Sequence, residues 1–241
     1  VWLASGLLSR SGAEGVKIGA AGLQAQRRVL GRLRQNMAEM VRLIALANQY
    51  DVPIAPAAWE AIRREALRLP PQCQPDAQAN AQFLSLLKHP HRLGALLRDL
   101  HEVGLLERFI PQFAHARGLL QFNQYHKYTV DEHCIRAVEC AAEFRRDDGP
   151  LGRVYRSVAS KHVLHLALLI HDLGKGHLED HREVGLKIAQ QAAERFQLPA
   201  AEAQVLEFLV HRHLIMNHLA FRRDISDQQL VVRFAVQVGS P

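Results

Sequence analysis

Along most of the chain, apolar side chains recur three and four positions apart, the spacing that gathers them on one face of an α-helix. In "GLQAQRRVLGRLRQNMAEMVRLIALANQY", Val29, Leu33, Met37, Met40, Val41 and Ile44 form one stripe with arginines mostly between them, which predicts a single long amphipathic helix. The period continues through "APAAWEAIRREALRL" and "AQFLSLLKHPHRLGALLRDLHEVGLLERFIP", punctuated by prolines at 53, 56, 70, 71, 75, 90 and 111. No alternation of period two stands out, so the expected class is all-α, without strands. "LPPQCQPDAQAN" and "FRRDDGPLGR" read as loops, and there is no internal repeat or low-complexity tract. The expected organisation is a helical, linker-type segment over residues 1–80 followed by a helical domain over residues 81–241.

With 241 residues and 48% hydrophobic content, the chain is long enough to bury a sizeable core. It starts at Val1, with no cationic flank ahead of a sustained apolar run, so the expectation is a piece of a longer product without a signal peptide. The most apolar stretch, "HVLHLALLIHD", is too short for a membrane span and carries His162, His165 and His171. A soluble, cytoplasmic protein is expected. Cys73, Cys134 and Cys140 are odd in number and lack C-x-x-C spacing, which argues against a disulfide framework or a thiolate zinc site and for small buried residues. The net charge of +6 comes from the first half: residues 1–120 hold 15 Lys and Arg against nine Asp and Glu, and residues 121–241 hold 15 of each. Those arginines alternate with helical apolar residues rather than clustering with aromatics. They read as a solvated basic face and not as a nucleic-acid site.

The chemistry lies in the second half. Thr129 and Glu132 have the spacing of a capping box, which predicts a helix from Val130 with His133 in its first turn, on the same face as Ala137, Cys140, Ala141 and Phe144. In "HVLHLALLIHD", Leu164, Ala167, Leu168 and His171 share a stripe, and Asp172 follows at once. Pro199 opens a further helix, whose stripe of Leu206, Leu209 and Val210 runs on to His213. Asp224 precedes a second capping-box spacing at Ser226 and Gln229. A lone inward histidine is usually a hydrogen-bonded core residue. Four segments that each deliver a His or Asp inward point instead to one shared nitrogen and oxygen metal site. Gly174 and Gly176 flank Lys175 in a turn without P-loop spacing, where the lysine can meet a phosphate oxygen as a mobile point charge. His177 and His211 read as surface residues. Arg222 and Arg223 read equally well as phosphate contacts and as solvated charges.

The early His, the His-Asp doublet and the late Asp, here His133, His171-Asp172 and Asp224, resemble the signature of the HD superfamily of metal-dependent phosphohydrolases. The surrounding text, "YHKYTVDEH", "LLIHDLGKG", "DHREVG" and "RRDISD", is similar to the central HD domain of bifunctional uridylyltransferase/uridylyl-removing enzymes. The likeness extends upstream through "FLSLLKHPHRLGALLRDLHEVGLLERFIPQF", so that it covers residues 80 to 238. It implies an HD helical bundle that hydrolyses the phosphodiester joining UMP to a tyrosine of the nitrogen-regulatory PII protein. It also implies His133, His171, Asp172 and Asp224 as ligands of a first divalent ion, and Asp172 as the bridge to a second held by His181 and His213. Asp172 and Lys175 are then the expected catalytic residues. Mg²⁺ or Mn²⁺ suits a phosphate ester, and the imidazoles also accept iron or zinc. The family's nucleotidyltransferase pattern, Gly-Ser followed by paired aspartates, and its ACT domains have no counterpart here, which leaves the hydrolytic middle. Two other readings stand beside this one: an HD enzyme acting on a free nucleotide, expected to have an enclosed pocket, and a non-catalytic helical module. Oligomeric state is left open.

Overall fold

The computed structural model describes residues 10–12, 15–19, 22–120, 127–222 and 227–239. They are mostly helical, as the apolar period predicts, with one exception at the start. Three short strands, β1 (Arg10–Gly12), β2 (Val16–Gly19) and β3 (Gly22–Ala25), form an antiparallel sheet in the order β1-β2-β3, with Val16 opposite Ala25 and Ile18 opposite Leu23. The period-two signal is there, since Val16 and Ile18 are buried on either side of exposed Lys17, but four residues are too few for it to stand out. β3 is fastened from its other side, where Leu23 N–H donates to the Pro53 carbonyl at 2.7 Å and Ala55 N–H donates to the Leu23 carbonyl at 2.9 Å.

The single helix expected over residues 22–50 is therefore three elements: β3, α1 (Arg27–Arg32) and α2 (Met37–Gln49). The break falls at Gln35, in a left-handed conformation with φ +53°, and at Asn36, whose side chain caps α2 by accepting the Glu39 N–H at 2.9 Å. α3 (Pro56–Ala66) starts on a proline, whose fixed φ suits the first turn. After the expected loop come α4 (Ala77–Lys88), α5 (Leu93–Glu102), α6 (Leu106–Phe109) and α7 (Gln112–Ala116). α8 (Val130–Glu143) begins where the sequence predicts. The second expected loop is instead a 3₁₀ turn at Phe144–Arg146 followed by α9 (Pro150–Ser157), with Asp147 accepting the N–H groups of Gly149 and Gly152. α10 (Lys161–Ile170), α11 (His181–Arg195), α12 (Ala200–His211), α13 (Ile215–Arg222) and α14 (Gln228–Val238) complete the described chain. The cap of α14 is Asp227, whose carboxylate accepts the Gln229 N–H, and Ser226 of the expected box lies outside the described residues. No helix among the described residues is long and apolar enough to cross a membrane.

α10 is the central element and packs against α4, α8, α11 and α12. It is apolar nearly all round: Val163, Leu166, Ala167, Leu169 and Ile170 are buried, while Leu164 and Leu168 of the expected stripe are only half-buried. Packing is continuous across residue 80, since α2 lies along α4, and Phe83 of α4 stacks between Phe109 and Phe196 at 4.6 and 5.6 Å. Buried His165 is satisfied inside this core, its Nδ1 2.6 Å from the Leu87 carbonyl and its Nε2 2.8 Å from the Tyr155 hydroxyl. Burial, helped by the charges of Lys161 and His162, pushes its pKa below the ordinary histidine value against the pull of the Leu87 carbonyl. The unfolded chain thus binds a proton here more readily than the folded one, and stability falls as pH drops below about 6.5. The gap in urea midpoint between wild type and His165→Gln is therefore expected to narrow between pH 7.5 and 5. A constant gap would show that folding leaves this imidazole's titration unchanged.

On α8 the expected stripe is rotated. Asp131, Cys134, Ile135, Val138 and Ala142 are buried, whereas Cys140 is exposed and His133 stands at the edge of the buried face. The predicted capping box does not form, because Thr129 bonds the Asp131 carboxylate and Glu132 pairs with Arg98 of α5. Arg98 also reaches Glu139, nearly two turns further along α8, and Gly94 lets the two helices approach so closely that a β-carbon there would lie 2.6 Å from Glu139 Cβ.

Candidate metal centre

Two of the site histidines are aimed by the same local device. His171 is the residue at which α10 ends, and its Nδ1 lies 2.8 Å from the Leu168 carbonyl. His213 stands two residues beyond α12 with its Nδ1 2.7 Å from the Val210 carbonyl. In each, a carbonyl of the last helical turn, which lacks an intrahelical partner, accepts the Nδ1 proton and so turns Nε2 away from the helix.

Both Nε2 atoms face Asp172. Its Oδ2 lies 3.4 Å from His171 Nε2, 3.3 Å from His133 Nε2 and 2.8 Å from Lys175 Nζ, and its Oδ1 lies 3.5 Å from His213 Nε2. His181, the first residue of α11, completes the ring beside His213, with ring centroids 5.9 Å apart. The chain is steered there by Asp180, which caps α11 by accepting the Arg182 N–H at 2.9 Å. Two groups share the one carboxylate, His133-His171-Asp172 and Asp172-His181-His213, each with one ligand atom per residue lying within 4.8 Å of the others.

The polarity of the site suits a cation. Nε2 of His181 and Nε2 of His213 are buried without a hydrogen-bond partner, a costly state for a protein atom unless a further group engages it. Asp172 is 4% exposed. Burial alone would raise its pKa, but the imidazoles of His133, His171 and His213 outweigh that and hold the carboxyl far below the usual range, so it is a carboxylate. Burial lowers the pKa of His181, with Asp172 opposing and His213 assisting, which favours the neutral ligating form. His and Asp donors around a shared carboxylate fit divalent cations of the Mg²⁺ to Zn²⁺ range.

The turn after α10 carries the rest. Gly174 is required for close approach: a β-carbon there would lie 2.2 Å from the His181 carbonyl oxygen and 3.0 Å from Gly185 N. Gly176 is required for its φ of +84°. Lys175 between them is drawn in to Asp172 and mostly buried. The cleft over these residues measures about 660 Å³ and runs out past His177, Glu179 and Asp180, all exposed, with Leu214 on the other side. Among the described residues, no serine, threonine or cysteine lines it. Cys134 lies just behind Asp172, but it is fully buried and its pKa is pushed up by that burial, so it stays a neutral thiol.

The structure thus gathers His133, His171, Asp172, Lys175, His181 and His213 at one cleft. Asp224 lies outside the described residues, as do Arg223 and the side chain of Arg222. His177 is exposed as expected, with His115 beside it at 4.4 Å, and His211 pairs with Glu183 at 3.0 Å away from the cleft lining. The sequence reading passed over Glu179, Asp180 and Leu214 as lining residues, although "GHLEDH" marks the first two as a polar run directly after the glycine turn.

Comparison with known proteins agrees with this geometry. Residues 130–235 match the HD domain family. The chain is 36% identical over 213 residues to the bifunctional uridylyltransferase/uridylyl-removing enzyme of Zymomonas mobilis, an alignment covering 86% of this chain and 23% of that protein. The protein of the same name from Novosphingobium aromaticivorans is 37% identical over 212 residues, covering 86% of this chain and 23% of the relative. That of Cereibacter sphaeroides is 37% identical over 206 residues, covering 83% and 22%. The chain therefore spans less than a quarter of the length of the curated relatives it matches.

Proposed function

We propose, from the premise that residues 130–235 are an HD domain, that this chain is the hydrolytic, uridylyl-removing part of a bifunctional uridylyltransferase/uridylyl-removing enzyme, acting in the cytoplasm on uridylylated PII. The observation that carries the reading is Asp172, one buried carboxylate facing two histidine groups from its two oxygens. In this proposal His133, His171 and Asp172, with Asp224, hold one divalent ion, and Asp172, His181 and His213 hold a second. Mg²⁺ or Mn²⁺ is favoured by the phosphate ester. When bound, such a cation supplies Lewis acidity to the phosphoryl group and to the attacking water. Residues 81–241 then form the catalytic unit and residues 1–80 its helical approach.

The chain's own residues fit a direct attack by water. Among the described residues the cleft offers no side-chain nucleophile of the Ser, Thr or Cys type, and Cys134 is buried as a thiol. The water oxygen bonds to phosphorus as the bond from phosphorus to the tyrosine oxygen breaks. The water proton ends on the tyrosine, whose ordinary pKa of about 10 makes it an able leaving group. Lys175, 2.8 Å from Asp172, is placed to move its ammonium onto a phosphoryl oxygen, where it offsets developing charge. The exposed outer rim from His177 to Asp180 suits an ester carried on a protein loop better than a free nucleotide, which an enclosed pocket would favour.

The test is release of UMP from uridylylated PII by the purified chain with Mn²⁺ or Mg²⁺, with EDTA as control. Metal-dependent release is expected, and no transfer of UMP from UTP. UMP release that EDTA leaves unchanged would remove the metal mechanism.

A further inference from the structure

α5 and α8 are joined by a second polar contact that the proposed chemistry does not use. His101 of α5 lies between two carboxylates, its Nδ1 2.9 Å from Glu107 Oε1 and its Nε2 3.0 Å from Asp131 Oδ2. Arg117 also contacts Glu107 and the His101 carbonyl. Asp131 is 6% exposed and fully engaged: it accepts the N–H of Gly118 at 3.0 Å and of Glu132 at 2.9 Å, and the hydroxyl of Thr129. A buried carboxylate in the first turn of a helix is costly unless it is satisfied in this way.

Geometry gives this contact a role. Successive residues of an α-helix are rotated by about 100°, so fixing the direction of Asp131 fixes the direction of His133 two positions later. Thr129 makes no cap bond to the backbone, and Arg98 holds Glu132 of the first turn from the outer side, with a third of each side chain exposed. On the buried side, the rotation of the first turn is set by Asp131 and His101. His133 is also the most exposed of the described histidines around Asp172, with 40% of its side chain open to solvent.

We infer that His101 and Asp131 are positioning residues that set the first turn of α8 so that His133 faces Asp172. The inference rests on the proposed metal site. Neither residue lines the cleft, and both act through His133.

The probe is Co²⁺, titrated into the metal-free protein and followed by its visible absorption, with metal-free melting temperatures measured alongside. His101→Ala is expected to weaken Co²⁺ binding about 10–100-fold, the range for residues that orient a ligand. His101→Gln keeps a donor at the place of Nε2 and is expected to bind within about threefold of wild type. Glu139→Gln, which breaks the Arg98 contact farther along α8, is expected to leave Co²⁺ affinity in place whatever it does to the melting temperature. Should His101→Ala not fold, Asp131→Asn, which keeps the shape and removes the charge, gives the same reading. Wild-type affinity in His101→Ala and Asp131→Asn would overturn the inference. So would equal weakening in His101→Gln, or a loss in Glu139→Gln as large as in His101→Ala. A wild-type protein that binds no Co²⁺ would instead remove the site itself, and the positioning role with it.

Discussion

Replacing Asp172 with asparagine is expected to abolish metal binding at both positions and to cut UMP release about 10³-fold or more. The side chain keeps its volume, so the cleft keeps its shape. What disappears is the negative charge of Asp172 that faces His133, His171, His213 and Lys175. Lewis acidity contributes several kcal/mol to such a reaction, and each 1.36 kcal/mol is a factor of ten. His181→Ala or His213→Ala disturbs only the group those residues share with Asp172 and leaves His133-His171-Asp172 whole, so a smaller loss is expected from either. Measuring release and metal content for the three variants side by side checks the ordering. Equal losses in all three would mean that the carboxylate is not shared between two positions.

Gly174→Ala is expected to destabilise the fold by about 3 kcal/mol, at the upper end of the range for overpacking, and to weaken the group containing His181. The added carbon would meet the backbone of His181 and Gly185 at 2.2 and 3.0 Å, and backbone cannot swing aside as a flexible side chain does. The start of α11 must retreat, taking His181 from Asp172. For a chain of this size the melting temperature should fall by about 6–12 °C. Gly31→Ala is the control, because a β-carbon at Gly31 in α1 meets nothing within 4 Å. That substitution is expected to stabilise by about 0.5–1 kcal/mol through the unfolded chain. Calorimetry on both variants separates steric conflict from the general effect of adding a methyl group.

The site was legible because each of its histidines interrupts a pattern. His171-Asp172 and His213 come at the ends of apolar helices, and His181 opens one, so polar residues appear where the apolar period stops. The phase of α8 was not legible. Its buried face includes Asp131, and a pattern read from apolar residues does not count a carboxylate whose partner, His101, arrives from a distant helix. The break before α2 escaped for a related reason: Gln35 has no preference for its left-handed φ of +53°, and only the Asn36 cap hints at a new start. The first sheet was hidden by its brevity, and its third strand takes support from Pro53 and Ala55, which no local pattern contains.

The two sides of the cleft differ in how firmly they are held. His171 and Asp172 leave the end of α10, which is enclosed by four other helices and whose amides open only when much of the fold opens with them. On the other side, Leu214 leads directly into α13, where Met216 is 61% and Phe221 81% exposed, and α14 beyond it is exposed along most of its length. Helices that bury so little apolar surface separate from their neighbours at small free-energy cost. The cleft is thus a stiff anvil facing a compliant jaw: any widening to admit a bulky ester is taken up on the Leu214 side, while the carboxylate at the end of α10 stays fixed.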